Sequence, residues 1–600
     1  MKYFNDGQLV IPTYQRGIVW NQEKQLKLMK SVFEGLPVGA LLVWQTTGNN
    51  KVMYHLIDGL QRTTTILEFL KVPLRYVHAE LLDDSVVASL VQSVQESVAS
   101  PPSELQVLAE LRAWIASVPS TTDQNFTSYR LASKLLAAFA EAPTIAAIER
   151  LEPSSASVLS SIRDQISVED YKIPVIVYEG AESELPGIFE RINSEGTPLS
   201  KYQKFAASWA SQQTTIANPA IRMAVRDKYK QLEDHGYVVA DFDPYDPDYE
   251  YDLFEYLFGL GKLVSQQYPA LLSPSDGVTD VESASFSIAT ISHGLRMADM
   301  NKLPQYFSRN DETINPERFE AVVLGAVDAV DRILRPVYRL RLNTTSGADA
   351  KLALPELQVL SFICALIAHR YAHREFEQRT DWAGEWQGAF RAPLLGHLLI
   401  DIVQQNWRGS GDSRIFTTTW QDAEGQIPGS HYATPPVWNY VEQILDAWFE
   451  ESLRSEQRDR ASIRSIEKLL MRFIYMKRLS VADNEHKVFE IDHILPVRRL
   501  AQLIPDGEGW PISNIANLTL LEKDDNRRKA TQTLREYVDA LSSEGKDEIV
   551  ARIDHLALHP ITACDISLPV GHRVYTKETY IQFLRSRWID IKSALREALQ

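Results

Sequence analysis

Runs dense in β-branched residues are few and short in this chain of 600 residues. Between about 216 and 480 almost every periodic segment instead keeps the ~3.6-residue apolar spacing of a helix. That restricts the fold to an α+β class, predominantly helical, with strands confined to the two ends. Strand-like runs stand at 40–45, 52–57 and 173–178, and again near 488–493 and 518–521. Thr47-Gly48-Asn49-Asn50 supplies hairpin turn chemistry between the first two. Asn21 is placed to cap a helix over 22–33, and Gly35 to stop it. Asp58-Gly59 ends a strand, and a helix should follow over about 61–70. Residues 80–165 read as a helical insertion rich in Ala, Ser and Leu, interrupted at Pro101-Pro102 and again at Pro153-Ser154-Ser155. Residues 185–212 read as helix–loop–helix, and 272–285 as an internal linker. The resulting division is an N-terminal α/β domain over 1–215, a helical middle over 216–440, and a C-terminal domain over 441–600 led by a basic helix.

Acidic side chains number 79 against 62 basic ones, a net charge of −17. Such a chain repels nucleic acid as a whole, so DNA binding must use local basic patches. Arg460, Arg464, Lys468 and Arg472 recur every four positions, opposite Ile463, Ile466, Leu470 and Phe473. They predict a basic helix face, which Arg498, Arg499, Arg527 and Arg528 could extend into a DNA channel. The plainer alternative is a solvated face with intrahelical ion pairs. Cys364 and Cys564 are the only cysteines, which excludes a cysteine-rich zinc site. No apolar run approaches the roughly 20 residues that span a bilayer. A cytoplasmic protein with no membrane partner is expected. The acidic, aromatic run at 241–256 reads as a loop leading into a helix rather than a metal site. Trp382, Trp386, Trp407 and Trp420 read as core.

The densest chemistry lies at 488–530, in VFEIDHILPVRRL followed by NIANLTLLEKDDNRRKA. The first piece is a strand ending at Asp492-His493 and closed by Pro496. The second passes from Asn514 and Asn517 through a strand into a helix near Asp524. A ββα hairpin brings the first strand's end against the start of that helix. Phosphodiester hydrolysis needs a base for water, and imidazole is poised near neutral pH. It also needs a divalent cation to neutralise developing charge, and Mg²⁺ or Mn²⁺ accepts a carboxylate and an amide oxygen while keeping its waters. His493 suits the first task, Asp492 and Asn526 the second. Asn517 could brace the loop, and Lys529 lies one turn from Asn526, where it could reach phosphate. The order D-H-x-x-P then N-x8-N-R-x-K resembles the HNH, or His-Me finger, nucleases. The resemblance implies His493 as general base, Asp492 and Asn526 as metal ligands and Asn517 as an orienting residue.

Three N-terminal clusters remain. They are Tyr14-Gln15-Arg16, Asp58-Gly59-Leu60-Gln61-Arg62, and Phe189-Glu190-Arg191-Ile192-Asn193-Ser194-Glu195-Gly196. The second is a strand–turn–helix, whose helix N-terminus suits phosphate, with arginines for bidentate contacts. Together they resemble the ParB-like domain of the GmrSD family of modification-dependent restriction endonucleases. That resemblance implies a nucleoside triphosphate site at Gln15, Arg16, Asp58, Gly59, Gln61, Arg62, Arg191 and Asn193, and a C-terminal HNH domain. Leu60 departs from the Gln of the family motif.

The expectation is a nucleotide-regulated, Mg²⁺- or Mn²⁺-dependent endonuclease cutting modified double-stranded phage DNA. The alternatives are a nickase tied to phosphorothioate DNA, a nucleotide-switched DNA-binding regulator with an inert HNH unit, and an enzyme acting on nucleotides alone. The helical middle leaves room for a homodimer interface without specifying one.

Overall fold

A computed structural model describes the chain from residue 4 to residue 600. It leaves outside the segments 189–208, 243–248, 273–282, 308–315, 343–353, 372–375, 379–385, 422–426, 480–486, 542–545 and 559–575. Scattered shorter positions, Arg16 and Arg460 among them, are also outside. The expected helix–loop–helix around 193–198 and most of the expected linker at 272–285 thus fall outside the described residues. The strands are β1 Leu9–Ile11, β2 Leu41–Gly48, β3 Lys51–Asp58, β4 Val175–Tyr178, β5 Gln213–Thr214, β6 Val238–Val239, β7 Tyr251–Asp252, β8 Phe489–His493 and β9 Leu518–Glu522. The chain divides into two compact units, one of residues 1–210 and 225–249, the other of 211–224 and 250–600.

The first unit is built on a mixed sheet in the order β4-β2-β3-β1-β6. The expected hairpin forms, β2 antiparallel to β3 from Leu42↔Asp58 to Gly48↔Lys51. β1 runs parallel to both β3 and β6, and β4 parallel to β2. Helix α1, Gln22–Phe33, starts where Asn21 accepts from Lys24 N at 3.0 Å. It stops where Gly35, at φ +71°, lets Leu36 N reach back to Ser31 O. Helix α2, Leu60–Lys71, follows β3 directly.

The insertion comprises the helices Asp84–Ser97, Glu104–Ser117, Ser128–Phe139 and Ile145–Ile166, with a core of its own. The expected break at Pro153 does not occur, because Pro153 lies inside the last of these helices. Ile148, Leu151, Val158, Leu159 and Ile162 on its buried side carry the helix through. Burying such side chains is worth about 1.5–3 kcal/mol each. The sum outweighs the roughly 3 kcal/mol of an interior proline.

The second unit is helical apart from β5, β7, β8 and β9. Its centre is Glu356–Arg370, whose residues from Gln358 to Ala368 are all buried. Ser283–Ser292 and Pro316–Tyr338 pack against it. At 241–256, Asp252 and Glu255 close a capping box on the helix Leu253–Gln267, so these carboxylates serve backbone N–H groups. No helix among the described residues is long and apolar enough to cross a membrane.

The basic segment is not one continuous helix. Trp438–Ser452 ends, and helix α3, Ser465–Tyr475, begins after a non-helical stretch. The stretch is held extended where Gln457 and Trp510 exchange backbone hydrogen bonds at 3.0 and 2.9 Å. Arg464 is therefore the N-cap residue of α3, and its guanidinium pairs with Glu467. Arg472 points inward, donating to Tyr338 O at 2.9 Å and Leu340 O at 2.7 Å. Lys468 is exposed. With Arg464 at the cap and Arg472 turned inward, the expected basic helix face does not form among the described residues.

Candidate functional site

The geometry closest to catalysis lies where β8 meets β9 and the short helix α4, Lys523–Lys529. β8 and β9 are antiparallel in the register Phe489↔Glu522 to His493↔Leu518. Phe489 and Ile491 alternate into the core, which turns Glu490 and Asp492 to the other face. α4 lies against that face. Asn526 Nδ2 donates to Glu490 Oε2 at 2.7 Å. One turn on, Lys529 Nζ lies 2.8 Å from Asp492 Oδ2 and donates to His493 O at 3.0 Å. α4 itself is anchored by buried Asp525, which accepts from Tyr537 Oη at 2.8 Å and from Arg552.

Burial raises the Asp492 carboxyl above the ordinary aspartate range, despite the Lys529 ammonium beside it. His493 is pushed down to about 4, chiefly by burial and then by Lys529, so at neutral pH the imidazole is uncharged. Its Nε2 lies 2.9 Å from Ser513 Oγ. Ser513 is fixed in turn by its N–H donating to Gln457 Oε1 at 2.8 Å.

Asn517 is fully buried, and its side-chain hydrogen bonds go to backbone groups rather than to the imidazole. Its Oδ1 accepts from Leu495 N at 3.0 Å, and its Nδ2 donates to Leu495 O at 3.1 Å and Ile512 O at 2.8 Å. Through Ile494 N→Asn517 O at 2.8 Å it also binds the residue after His493. It thereby ties the chain beyond His493 to the residue before Ser513.

One expectation changes here, and two residues are added. Lys529 does not face solvent phosphate. It has no exposed surface, because both of its partners lie inside the β8–α4 seam. Ser513 and Glu490 join the constellation without having been singled out. Glu490 was findable, since strand alternation puts residue 490 on the face of residue 492. Ser513 sits twenty positions from His493 and carried no local signal. Arg527 and Arg528 are exposed on α4.

Among the described residues no cluster of three or more His, Cys, Asp or Glu side chains is placed to hold a metal. The donors that fit Mg²⁺ or Mn²⁺ are the Asp492 carboxylate and the Asn526 amide oxygen. Asn526 engages Glu490 through its nitrogen, so its oxygen stays an acceptor. Hard oxygen donors completed by water are what these cations take.

In the first unit, Gly59 at φ +105° begins α2, in the left-handed region that favours glycine. A Cβ there would meet Leu41 Cδ2 at 2.2 Å. Asp58 Oδ2 pairs with Arg62 Nη2 at 2.5 Å. Arg62 Nη1 donates to Val38 O and Ala40 O, each at 3.0 Å. Gln15 Nε2 reaches Leu56 O at 3.0 Å and also Ile57 O. Gln61 accepts from Trp20 N at 3.1 Å and donates to Gly17 O at 3.0 Å. The structure therefore gives these polar atoms a use the motif reading did not foresee. Gln15 and Gln61 clasp the 12–20 loop to β3 and α2, and Arg62 clasps the approach to β2. Leu60, the motif's departure, is core, 3% exposed. Arg16, Arg191 and Asn193 lie outside the described residues.

A comparison with curated proteins found no match to the chain. Residues 2–210, which carry the Asp58–Arg62 turn and four strands of the sheet, match the family model described as GmrSD restriction endonuclease, N-terminal domain.

Proposed function

We propose that the protein is a restriction-type DNA endonuclease that uses the β8–β9–α4 site to hydrolyse phosphodiesters in modified foreign DNA, in the cytoplasm and under the control of a nucleotide held by its N-terminal unit. The match over residues 2–210 supports the restriction endonuclease role. The observation that carries the chemistry is an imidazole kept neutral by burial, beside a carboxylate and an amide oxygen on one strand–helix seam.

The steps assigned to this chain's groups are few. Nδ1 of His493 has no hydrogen-bond partner among the described residues, and it receives the proton of the attacking water. For Nδ1 to be the base, Nε2 carries the proton and donates to Ser513 Oγ, which fixes the tautomer. Asn517 keeps the two loops that carry this pair in register. Asp492 and Asn526 would hold Mg²⁺ or Mn²⁺, which neutralises charge on the phosphorane and the leaving oxygen. Lys529 keeps Asp492 turned toward α4. Exposed Arg527, Arg528 and Lys468 supply positive charge for DNA in a chain of net charge −17.

A second reading has its own observation. Lys529 already supplies a buried cation to Asp492, as expected of a DNA-binding regulator whose nuclease unit is inert. One experiment separates the two. Wild type and His493→Ala protein are incubated with unmodified, base-modified and phosphorothioated plasmid, with Mg²⁺ or Mn²⁺, with and without nucleoside triphosphate. Cutting of a modified plasmid by wild type alone is the expected result. Intact plasmid throughout would establish the regulator, and single-strand nicks confined to the phosphorothioated plasmid would establish a nickase.

A further inference from the structure

The β8–α4 seam pairs its side chains crosswise. Strand alternation puts Glu490 and Asp492 on one face of β8, and a spacing of three puts Asn526 and Lys529 on one side of α4. The helix supplies Lys529 to the strand's Asp492 at 2.8 Å, and the strand supplies Glu490 to the helix's Asn526 at 2.7 Å. Asp492 and Asn526 are the cation donors of the proposed function, and Glu490 has no task in it.

An asparagine amide serves a cation only when it is turned the right way. Its terminal torsion is broad and roughly two-fold, so oxygen and nitrogen exchange places at little intrinsic cost. One orientation offers lone pairs, the other N–H groups. A carboxylate beside the amide removes that ambiguity, because it only accepts. Glu490 takes Asn526 Nδ2, and the reversed amide would set oxygen against oxygen. Asn526 Oδ1 is left without a hydrogen-bond partner among the described residues. Groups behind a metal ligand commonly fix its orientation in this way.

We propose that Glu490 is a positioning residue, which turns the Asn526 amide so that its oxygen rather than its nitrogen is offered to the cation. The inference rests on the reading of this seam as a divalent-metal site. Glu490 itself is assigned no bond to the metal.

The test is Mn²⁺ binding to the full chain without DNA, followed by electron paramagnetic resonance of the unbound ion. The ion that wild type holds and Asp492→Asn loses is the ion of the seam. Glu490→Met removes the carboxylate and should weaken that ion by about tenfold, at an unchanged melting temperature in chelator. In an Asn526→Asp background the same change should weaken it by less than about twofold, because a carboxylate carries oxygen at both positions and needs no turning. If Glu490→Met melts early, Glu490→Val, suited to a strand, takes its place. Wild-type affinity in the Glu490 variant overturns the proposal. Equal weakening in both backgrounds also overturns it, making Glu490 a ligand or a bulk charge. Both of those results leave the metal site standing. Identical Mn²⁺ binding by wild type and Asp492→Asn would instead remove the metal site, and the proposal with it.

Discussion

Lys529→Met removes the ammonium that faces Asp492 and keeps most of the apolar stem. In the native protein Nζ lies 2.8 Å from Asp492 Oδ2 and 3.0 Å from His493 O, on a side chain with no exposed surface. The variant leaves a covered carboxylate without its cation and a carbonyl with one donor fewer. Stripping one partner from a buried pair costs about 3–5 kcal/mol. The carboxylate has an escape, because it can take up a proton. From an unfolded-state pKa of about 3.9, holding it protonated costs about 4 kcal/mol at pH 7 and about 1.5 kcal/mol at pH 5. Burial already raises the Asp492 pKa with Lys529 present, so removing the lysine raises it further. A carboxyl whose folded pKa exceeds its unfolded one binds more protons when folded, so stability falls as pH rises through that window. Lys529→Met should therefore lose up to about 4 kcal/mol at pH 7 but no more than about 1.5 kcal/mol at pH 5 from this source. The lost carbonyl hydrogen bond adds about 1 kcal/mol at both. Urea unfolding followed by circular dichroism, with chelator present, measures this at the two pH values. The double variant Asp492→Asn/Lys529→Met should recover most of the loss at pH 7. Equal losses at pH 5 and pH 7, or a double variant worse than the single, would refute the reasoning.

Three further outcomes are expected. His493→Ala should slow cleavage by about 10²–10⁴-fold, and because burial and Lys529 hold the imidazole near 4, its own NMR titration should lie well below the ordinary histidine range; a titration at the ordinary histidine pKa would contradict it. Gly59→Ala must adopt a positive φ and place a Cβ against Leu41, so calorimetry should show the first unit destabilised by about 2–4 kcal/mol. Asn517→Ala strips three side-chain hydrogen bonds from buried backbone groups, so it should lose about 3 kcal/mol in denaturant titration, and Asn517→Asp, which turns a buried carboxylate toward the Leu495 and Ile512 carbonyls, should lose at least as much at pH 7.

Local rules were readable wherever local interactions decide the structure. The Asn21 cap, the Gly35 stop and the β2–β3 hairpin rest on neighbours a few residues away, and each forms where its residues stand. The strand ending at Asp492-His493 and the helix bearing Asn526 were legible for the same reason. What the chain concealed depends on distant partners. That the amides of Gln15 and Gln61 bind the carbonyls of Leu56 and Gly17, more than forty positions away, could not be read from their motifs. Lys529 and Arg472 look like surface cations, and tertiary packing buries both against carbonyls and, for Lys529, an acid. Pro153 looks like a stop, and the core of the insertion overrides it.

The sheet of the first unit closes with β6, whose residues 238 and 239 pair with β1. That strand lies beyond position 210, where the family match ends. So do Tyr237, whose hydroxyl meets Thr64 Oγ1 at 2.9 Å, His235, which meets Glu68 at 3.0 Å, and Lys228, which donates to Thr13 O at 2.7 Å. A fragment trimmed to the matched boundary would bare the backbone edge of β1, strip three supports from α2 and the loop before Trp20, and invite strand-to-strand association between copies. Dissection of this protein should cut after residue 249 and include the returning segment, even though the sequence match stops well short of it.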